Sequence, residues 1–238
     1  MTNPLVAKLR RFADLSDREI HAVETLSAEV DTIERGADIL SQGDKPTTVT
    51  LLLDGLACRY KLSEEGDRQI VGIMVPGDLC DLHAFILNEM DHSVGALTKA
   101  SVTHVSRDKL LHVFDNEPRI TRALWWSTLV DEGTLREWVV NIATRSAYER
   151  LAHLLSEICM RLQTVGLASA TECVIKIRQL DLADAVGVGR SHASLSMMQL
   201  KDEGIVEFSR GSIRILNVQR LFEAGQFNQH YLHLEREP

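Results

Sequence analysis

The chain has 238 residues and a formal net charge of −8, with 45% hydrophobic and 25% charged residues. This balance is typical of a folded globular protein and excludes an intrinsically disordered one. No apolar run approaches the ~20 residues that a membrane-spanning helix needs. Residues 1–4 also lack the hydrophobic segment of a secretory signal. We therefore expect a cytoplasmic protein without a membrane partner.

Catalytic and metal-binding motifs are absent from the sequence. The four cysteines, Cys58, Cys80, Cys159 and Cys173, form no Cys-x-x-Cys pair. Their spacing predicts neither a disulfide framework nor a metal site. There is no Gly-x-Ser-x-Gly, no His-Glu-x-x-His and no phosphate-binding glycine loop. The sequence therefore favours a binding protein over an enzyme.

The N-terminal half combines short helices with a β-rich segment. Residues 16–19 read Ser-Asp-Arg-Glu, a capping box that predicts the start of a helix. Across 30–106, β-branched runs alternate with turns that contain glycine, aspartate or proline, and this pattern predicts a compact β-barrel or double-sheet roll. The predicted strands are 49–53, 56–61, 69–74 and 101–106.

A long helix is predicted from Pro118 to about Thr144, because proline is favoured in the first turn of a helix. Apolar residues recur along it and form an interrupted seam: Leu124, Leu135, Trp138 and Ile142. Such a seam predicts a contact between two copies of the helix in a dimer. The alternative is that the helix simply packs across the β-roll.

Residues 178–217 have the pattern of a winged helix. Gly187 suits the left-handed residue that ends one helix, and Gly189 suits the N-cap of the next. Two helices joined by a tight turn are typical of a helix-turn-helix, and the runs 205–208 and 213–216 predict a β-hairpin after it. This order of elements indicates a DNA reader; the alternative is a protein-interaction module of the same shape.

Charge is distributed unevenly along the chain. Residues 174–220 contain seven Lys or Arg and five Asp or Glu, a net charge of +2 in a chain whose total is −8. Phosphate contacts come mainly from Lys and Arg. The asymmetry therefore favours nucleic-acid binding that is confined to the C-terminal module.

Five motifs, taken in order, resemble the Crp/Fnr family of bacterial transcription regulators over nearly the whole chain. They are 35–44 (RGADILSQGD), 51–56 (LLLDGL), 76–79 (PGDL), 150–155 (RLAHLL) and 181–190 (DLADAVGVGR). The resemblance implies an α+β fold with a double-stranded, jelly-roll-like β-roll as sensor domain (1–116), a long dimerisation helix (117–145) and a C-terminal winged helix-turn-helix DNA-binding domain (146–238). It also implies a homodimer in which a signal received in the β-roll repositions the DNA-binding domains.

The resemblance places an effector pocket in the β-roll. Family members that bind cyclic nucleotides hold the ribose and the phosphate with a Gly-Glu pair and an Arg-Ser pair. The matching residues here are Gly77-Asp78 and His92-Ser93. A guanidinium is always charged and grips phosphate through two hydrogen bonds, which a histidine cannot do. We therefore expect an effector other than cyclic AMP, and the resemblance identifies neither that effector nor a cofactor.

Other sensing mechanisms of the family depend on cysteines or histidines. The iron–sulfur members use N-terminal cysteines, and no cysteine precedes Cys58 here, which excludes that mechanism. A haem or metal alternative would use Cys80, His83, Met90 and His92. A small core cysteine beside loop histidines gives the same pattern. A redox thiol is a further alternative, for which Cys173 at the entrance to the DNA-binding domain is best placed.

The second helix of the winged helix is the predicted DNA reader. Its candidate contact residues are Arg190, Ser191, His192, Ser194 and Leu195, with Arg210 on the hairpin turn expected to touch phosphate. Many family members carry Glu and Arg where Ser191 and Leu195 stand here. Arg190 is then the expected dominant polar contact with the bases, because it opens the helix and N-terminal residues of such a helix reach base edges. Leu195 offers only an apolar contact, such as to a thymine methyl.

The partners expected from the resemblance are double-stranded DNA, a second copy of the chain and RNA polymerase. The alternative is a ligand- or protein-binding module of the same fold that has lost specific DNA binding. The unusual residues of the predicted reading helix, Ser191 and Leu195, motivate that alternative.

Overall fold

The computed structural model describes residues 3–26, 29–80, 82, 84–87, 89–209 and 211–234. The helices are α1 (Pro4–Leu9), α2 (Asp17–Glu24), α3 (Ala84–Leu87), α4 (Arg107–Asn116), α5 (Pro118–Thr144), α6 (Ala147–Thr164), α7 (Gln179–Val186), α8 (Arg190–Asp202) and α9 (Val218–Ala224), with a 3-10 helix at Gln229–Leu232. The strands are β1 (Val30–Ile33), β2 (Asp38–Leu40), β3 (Thr48–Asp54), β4 (Ala57–Leu62), β5 (Arg68–Met74), β6 (Ser93–Ala96), β7 (Ala100–Ser106), β8 (Cys173–Ile175), β9 (Val206–Ser209) and β10 (Ser212–Ile215). Within these residues, no helix combines the length and the apolarity that crossing a bilayer requires.

Strands β1 to β7 form the two antiparallel sheets of the β-roll. One sheet has the order β1-β7-β3 and the other has the order β2-β6-β4-β5. Leu52, Met74, Val94 and Val102 are fully buried in the cluster that the two sheets share. The four predicted strands are confirmed as β3, β4, β5 and β7. Strands β1, β2 and β6 are not predicted because three or four residues are too few to show an alternating pattern.

The N-terminal helices pack against the start of α5. Leu5, Leu9, Val23 and Leu110 form one buried cluster with Leu124 of α5. The side chain of Leu124 is covered by its own chain and only 1% of the residue is exposed. The predicted place of Leu124 in a dimer seam is therefore wrong, because the N-terminal helices already fill the space beside it.

The same correction applies to Trp138 of α5. Its ring packs against the apolar face of α6, and its Nε1 donates a hydrogen bond of 3.0 Å to Oε2 of the buried Glu157. A buried indole N–H needs such a partner. Trp138 therefore joins α5 to α6 and is not available to a second chain. The other two seam residues, Leu135 and Ile142, are 51% and 37% exposed.

The C-terminal module is the predicted winged helix. Gly187 ends α7 with a φ of +62°, a backbone conformation that favours glycine, and Gly189 is the N-cap of α8. Both predicted roles are confirmed. Strands β8, β10 and β9 form an antiparallel sheet in that order, in which the β9–β10 hairpin is the predicted wing. Helix α6 packs against α8 and α9 and forms the centre of this module.

A buried ion cluster, which we call the Asp78 clamp, fastens this module to the β-roll. Asp78 Oδ1 accepts a hydrogen bond from Lys8 Nζ at 2.7 Å, and Oδ2 accepts one from Arg161 Nη2 at 2.5 Å. Burial raises the pKa of Asp78, but Lys8 and Arg161 outweigh that effect and lower it to about 2. Helix α1, the roll and α6 therefore meet at one carboxylate.

The clamp predicts a large loss of stability for Asp78→Asn. The substitution leaves Lys8 and Arg161 without a carboxylate in a mostly buried site, and we expect it to lower the free energy of unfolding by about 3–5 kcal/mol. Urea unfolding at neutral pH measures the difference. The matched control is Asp67→Asn on an exposed turn, which should change the value by less than about 0.5 kcal/mol. A similarly small change for Asp78→Asn would contradict the clamp.

The wild-type protein and Asp78→Asn also test how the stability depends on pH. Asp78 has a pKa of about 2 in the folded protein and about 3.9 in an unfolded chain. The contribution of Asp78 to the free energy of unfolding is therefore complete above its pKa in the unfolded chain. This contribution is lost as the pH falls through its pKa in the folded protein. The stability difference between wild type and Asp78→Asn should stay constant down to about pH 5 and shrink between about pH 4 and pH 2.

Candidate nucleic-acid interface and roll cavity

Helix α8 turns one face to the core and the other to solvent. Ala193, Met197 and Leu200 are buried, and they pack toward α6 and α7. The predicted contact residues lie on the solvent side: Arg190, Ser191, His192 and Leu195 are exposed and Ser194 is half-buried. Arg210, the predicted phosphate contact, lies outside the described residues. The structure thus brings the other five predicted residues together on one accessible helix.

The first turn of α8 is open to an anion. Glycine at the N-cap has no side chain, and among the described residues no side chain caps this helix. The first amide groups of the turn therefore face solvent at the positive end of the helix dipole, which is an arrangement that binds phosphate. Arg190 extends from the same turn and adds a full charge.

Met198 belongs to the same surface, although it is not among the contact residues predicted from the sequence. It is 54% exposed and follows Leu195, which is 63% exposed, by three residues. Residues three apart are neighbours on a helix surface, so the two side chains lie side by side. The spacing of the buried residues Ala193, Met197 and Leu200 is the signal that could have placed Met198 on the opposite face.

A cavity of about 410 Å³, which we call the roll cavity, lies between the β-roll and α5. Its charged and imidazole side chains are Arg59, Lys61, Asp91, His92, Asp131, Glu132 and Arg161. Leucines supply much of the apolar lining: Leu79, Leu82, Leu87 and Leu135. Leu135 comes from α5 and Arg161 from α6. The β-roll, the long helix and the C-terminal module therefore all border this one cavity.

Of the four predicted effector residues, His92 lines the roll cavity and the others point elsewhere. A Cβ at Gly77 would lie 2.7 Å from a carbonyl oxygen of α1, so this turn is packed tightly against that helix. Asp78 is held in the Asp78 clamp, and Ser93 Oγ accepts a backbone hydrogen bond from the turn before β3. The four residues do not form one site, because α1 and α6 occupy the space beside the 76–79 turn.

Four polar side chains of the roll cavity form two pairs, His92 with Asp91 and Arg59 with Asp131. His92 Nδ1 lies 2.6 Å from Asp91 Oδ1; burial lowers the pKa of His92, although this contact opposes the effect. Arg59 Nη2 donates to Asp131 Oδ2 at 3.2 Å and to the carbonyl oxygen of Leu79 at 3.1 Å. A neutral imidazole does not replace a charged guanidinium as a phosphate ligand.

A second polar contact joins the roll to the helix-turn-helix itself. Arg68 of β5 donates to Asp181 Oδ1 at 2.6 Å and to Asp184 Oδ2 at 2.7 Å. Gln69 Nε2 donates to the carbonyl oxygen of Asp184 at 2.8 Å. Burial raises the pKa of Asp181, but Arg178 and Arg68 outweigh it and lower the value. The position of α7 therefore depends on the β4–β5 hairpin.

The described residues of the haem or metal alternative do not converge. Cys80 and Met90 are buried in the core of the roll, whereas His92 faces the roll cavity. His83 lies outside the described residues. In the part of the chain that the structure describes, no three His, Cys, Asp or Glu side chains are grouped so that they could hold a metal ion.

The redox alternative involves a buried thiol. Cys173 is 1% exposed in β8. A hydrogen bond with Cys159 and burial raise the pKa of Cys173. The thiolate is the reactive form of cysteine, so both effects disfavour oxidation at this position.

Two family models match the chain. The cyclic nucleotide-binding domain model matches residues 30–117, and the Crp-like helix-turn-helix domain model matches residues 149–224. The first match covers the β-roll and α4, and the second covers the module that contains α8. The two matches leave out all of α5, which connects them.

Transcription regulators are among the proteins that this chain is similar to. The nitrogen fixation regulation protein FixK of Bradyrhizobium diazoefficiens is 26% identical over 215 residues, which are 90% of this chain and 84% of that protein. The transcriptional activator protein FnrL of Cereibacter sphaeroides is 23% identical over 194 residues, 80% of this chain and 77% of that protein. The solved structure of FixK2 from Bradyrhizobium japonicum matches with a TM-score of 0.72 and 25% identity, over 83% of this chain and 96% of that one. The chain belongs to the Crp/Fnr family and is a DNA-binding transcription regulator.

Proposed function

We propose that the protein binds an inverted-repeat operator as a homodimer, and that a signal received in the roll cavity controls this binding. The lining of that cavity carries the proposal, because Leu135 of α5 and Arg161 of α6 border it together with the β-roll. A ligand there touches all three parts, and it shifts their arrangement if its contacts differ between two states. The domains that we propose are 1–116, 117–145 and 146–238.

An exposed apolar stripe on α5 supports the homodimer. The α5 stripe consists of Trp125, Leu129, Leu135, Val139 and Ile142, each at least 37% exposed. These residues recur at a spacing close to the one that places a continuous seam on one side of a helix. A stripe of this length facing water is typical of a protein–protein interface. It retains Leu135 and Ile142 from the predicted seam and replaces the two buried members.

Leu135→Glu tests the dimer. The carboxylate would stand in the middle of the α5 stripe, where the apolar helix of a second copy would remove its hydrating water. We therefore expect a shift from dimer to monomer. Light scattering at micromolar concentration gives the mass. Leu62→Glu is the matched control, because Leu62 is 59% exposed on the roll hairpin and outside the stripe. The proposal fails if the wild-type protein is itself monomeric under these conditions.

The geometry of α8 supports binding to DNA through the major groove. In a dimer, two such helices contact half-sites that lie one helical turn apart, about 34 Å. Arg190 stands at the edge of the exposed face, beside the open first turn, so we assign it to phosphate rather than to the base contact that the sequence suggested. As a regulator at promoters, the protein is proposed to act in the cytoplasm, with DNA and RNA polymerase as its partners.

Selection from a random duplex library tests specific binding. We expect the wild-type protein to enrich an inverted repeat whose half-site centres lie about 10–10.5 base pairs apart, or a multiple of that spacing. The Leu135→Glu variant should enrich half-sites without a fixed spacing. Equal binding to all duplexes would instead support the alternative, a module of this fold without specific DNA binding.

Cyclic AMP is not expected to be the signal. Asp78 is held by Lys8 and Arg161, and His92 is a poor phosphate ligand because burial lowers its pKa. Titration calorimetry with cyclic AMP should show no saturable heat at physiological nucleotide concentrations. The variant His92→Arg should not restore binding, because Asp78 stays in the clamp. Tight binding by the wild type would refute this assignment.

A further inference from the structure

The buried face of α8 determines which residues can enter a DNA groove. Ala193, Met197 and Leu200 point into the core, each at most 1% exposed. Successive residues of a helix are turned by about 100°. The direction opposite the core is then occupied by four residues: Ser191, Leu195, Met198 and Asp202. The helix cannot rotate to present another face without exposing its core residues.

The centre of this outward face is apolar. Leu195 and Met198 are 63% and 54% exposed and lie next to each other. Gln199 lies to one side, and its Nε2 donates to Glu203 Oε1 at 2.9 Å. The outward face therefore has no Arg, Asn or Gln at its centre, and these are the residues that recognise bases through paired hydrogen bonds.

The cationic residues of α8 lie beside this apolar centre. Arg190 and Lys201 are exposed on one side of it, and Arg190 adjoins the open first turn. Such positions suit contacts with one of the two phosphate backbones that border a groove. This distribution favours DNA as the occupant over a second copy of the chain, because the outward face of a second copy would offer these two cations one carboxylate, Asp202.

The major groove offers one apolar group to such a face. Among the four bases, thymine alone carries a methyl group there. We propose that Leu195 and Met198 read the operator by packing against thymine methyl groups, so that Met198 is a specificity-determining residue beside Leu195. This inference rests on the proposed specific DNA binding and names the chemical group that is recognised.

Replacement of thymine by deoxyuridine tests the inference, because it removes the methyl and leaves every base-pairing group in place. The probe is a fluorescent duplex carrying the sequence enriched from the random library, with one thymine per half-site changed at a time. For the wild-type protein, the contacted position should lose affinity by about four-fold per methyl and about fifteen-fold when both half-sites are changed. Leu195→Ala or Met198→Ala should reduce that ratio to near one at its own position.

Two control variants separate methyl reading from other effects. Leu62→Ala removes an equally exposed leucine on the roll and should keep the full deoxyuridine penalty. Arg190→Ala should weaken the thymine and deoxyuridine probes by the same factor, so that their ratio is unchanged. Both reading residues are exposed, and equal thermal midpoints for all four variants would show that folding is intact.

The possible failures are distinguishable. If the library yields no enriched sequence, specific DNA binding itself is refuted, and methyl reading with it. If a sequence is enriched but no thymine shows a penalty, the proposed function stands and methyl reading is overturned. A penalty that persists unchanged in both Leu195→Ala and Met198→Ala overturns it as well, because another residue must then read the methyl.

Discussion

The arrangement of this protein depends on one buried carboxylate. Asp78 is 3% exposed and joins Lys8 of α1 to Arg161 of α6. A buried charge costs several kcal/mol unless it is paired, so the carboxylate of Asp78 requires its two cations. The position that resembles an effector ligand in related proteins therefore holds the C-terminal module against the β-roll. This explains why its neighbours in sequence do not form a ligand site.

Arg161 extends this connection in two directions. It borders the roll cavity and also lies 3.3 Å from Oε1 of Glu157, whose Oε2 accepts hydrogen bonds from Trp138 and Tyr231. Burial raises the pKa of Glu157, so these donors are needed to keep a polar group at that depth. Under the proposed function, a ligand that competes for Arg161 would disturb contacts to α5 and to the C-terminal segment together.

Helices α5 and α8 each have two apolar surfaces. Each buries one apolar face in its own chain and exposes a second apolar group to water: the α5 stripe, and Leu195 with Met198 on α8. The buried faces determine the rotation of both helices, and this in turn determines what each can offer a partner. One surface suits an identical helix, and the other suits a groove bordered by phosphates.

The sequence by itself determined the local elements and their order. Periodicity predicted α5, and the glycine pair predicted the turn between α7 and α8, because these signals come from residues close together in the chain. Only the tertiary structure decided which faces are covered. The sequence pattern placed Leu124 and Trp138 in a dimer seam, but α1 and α2 cover Leu124 and α6 covers Trp138. Lys8 and Arg161 lie 70 and 83 residues away from Asp78, and no local pattern reports contacts over such distances.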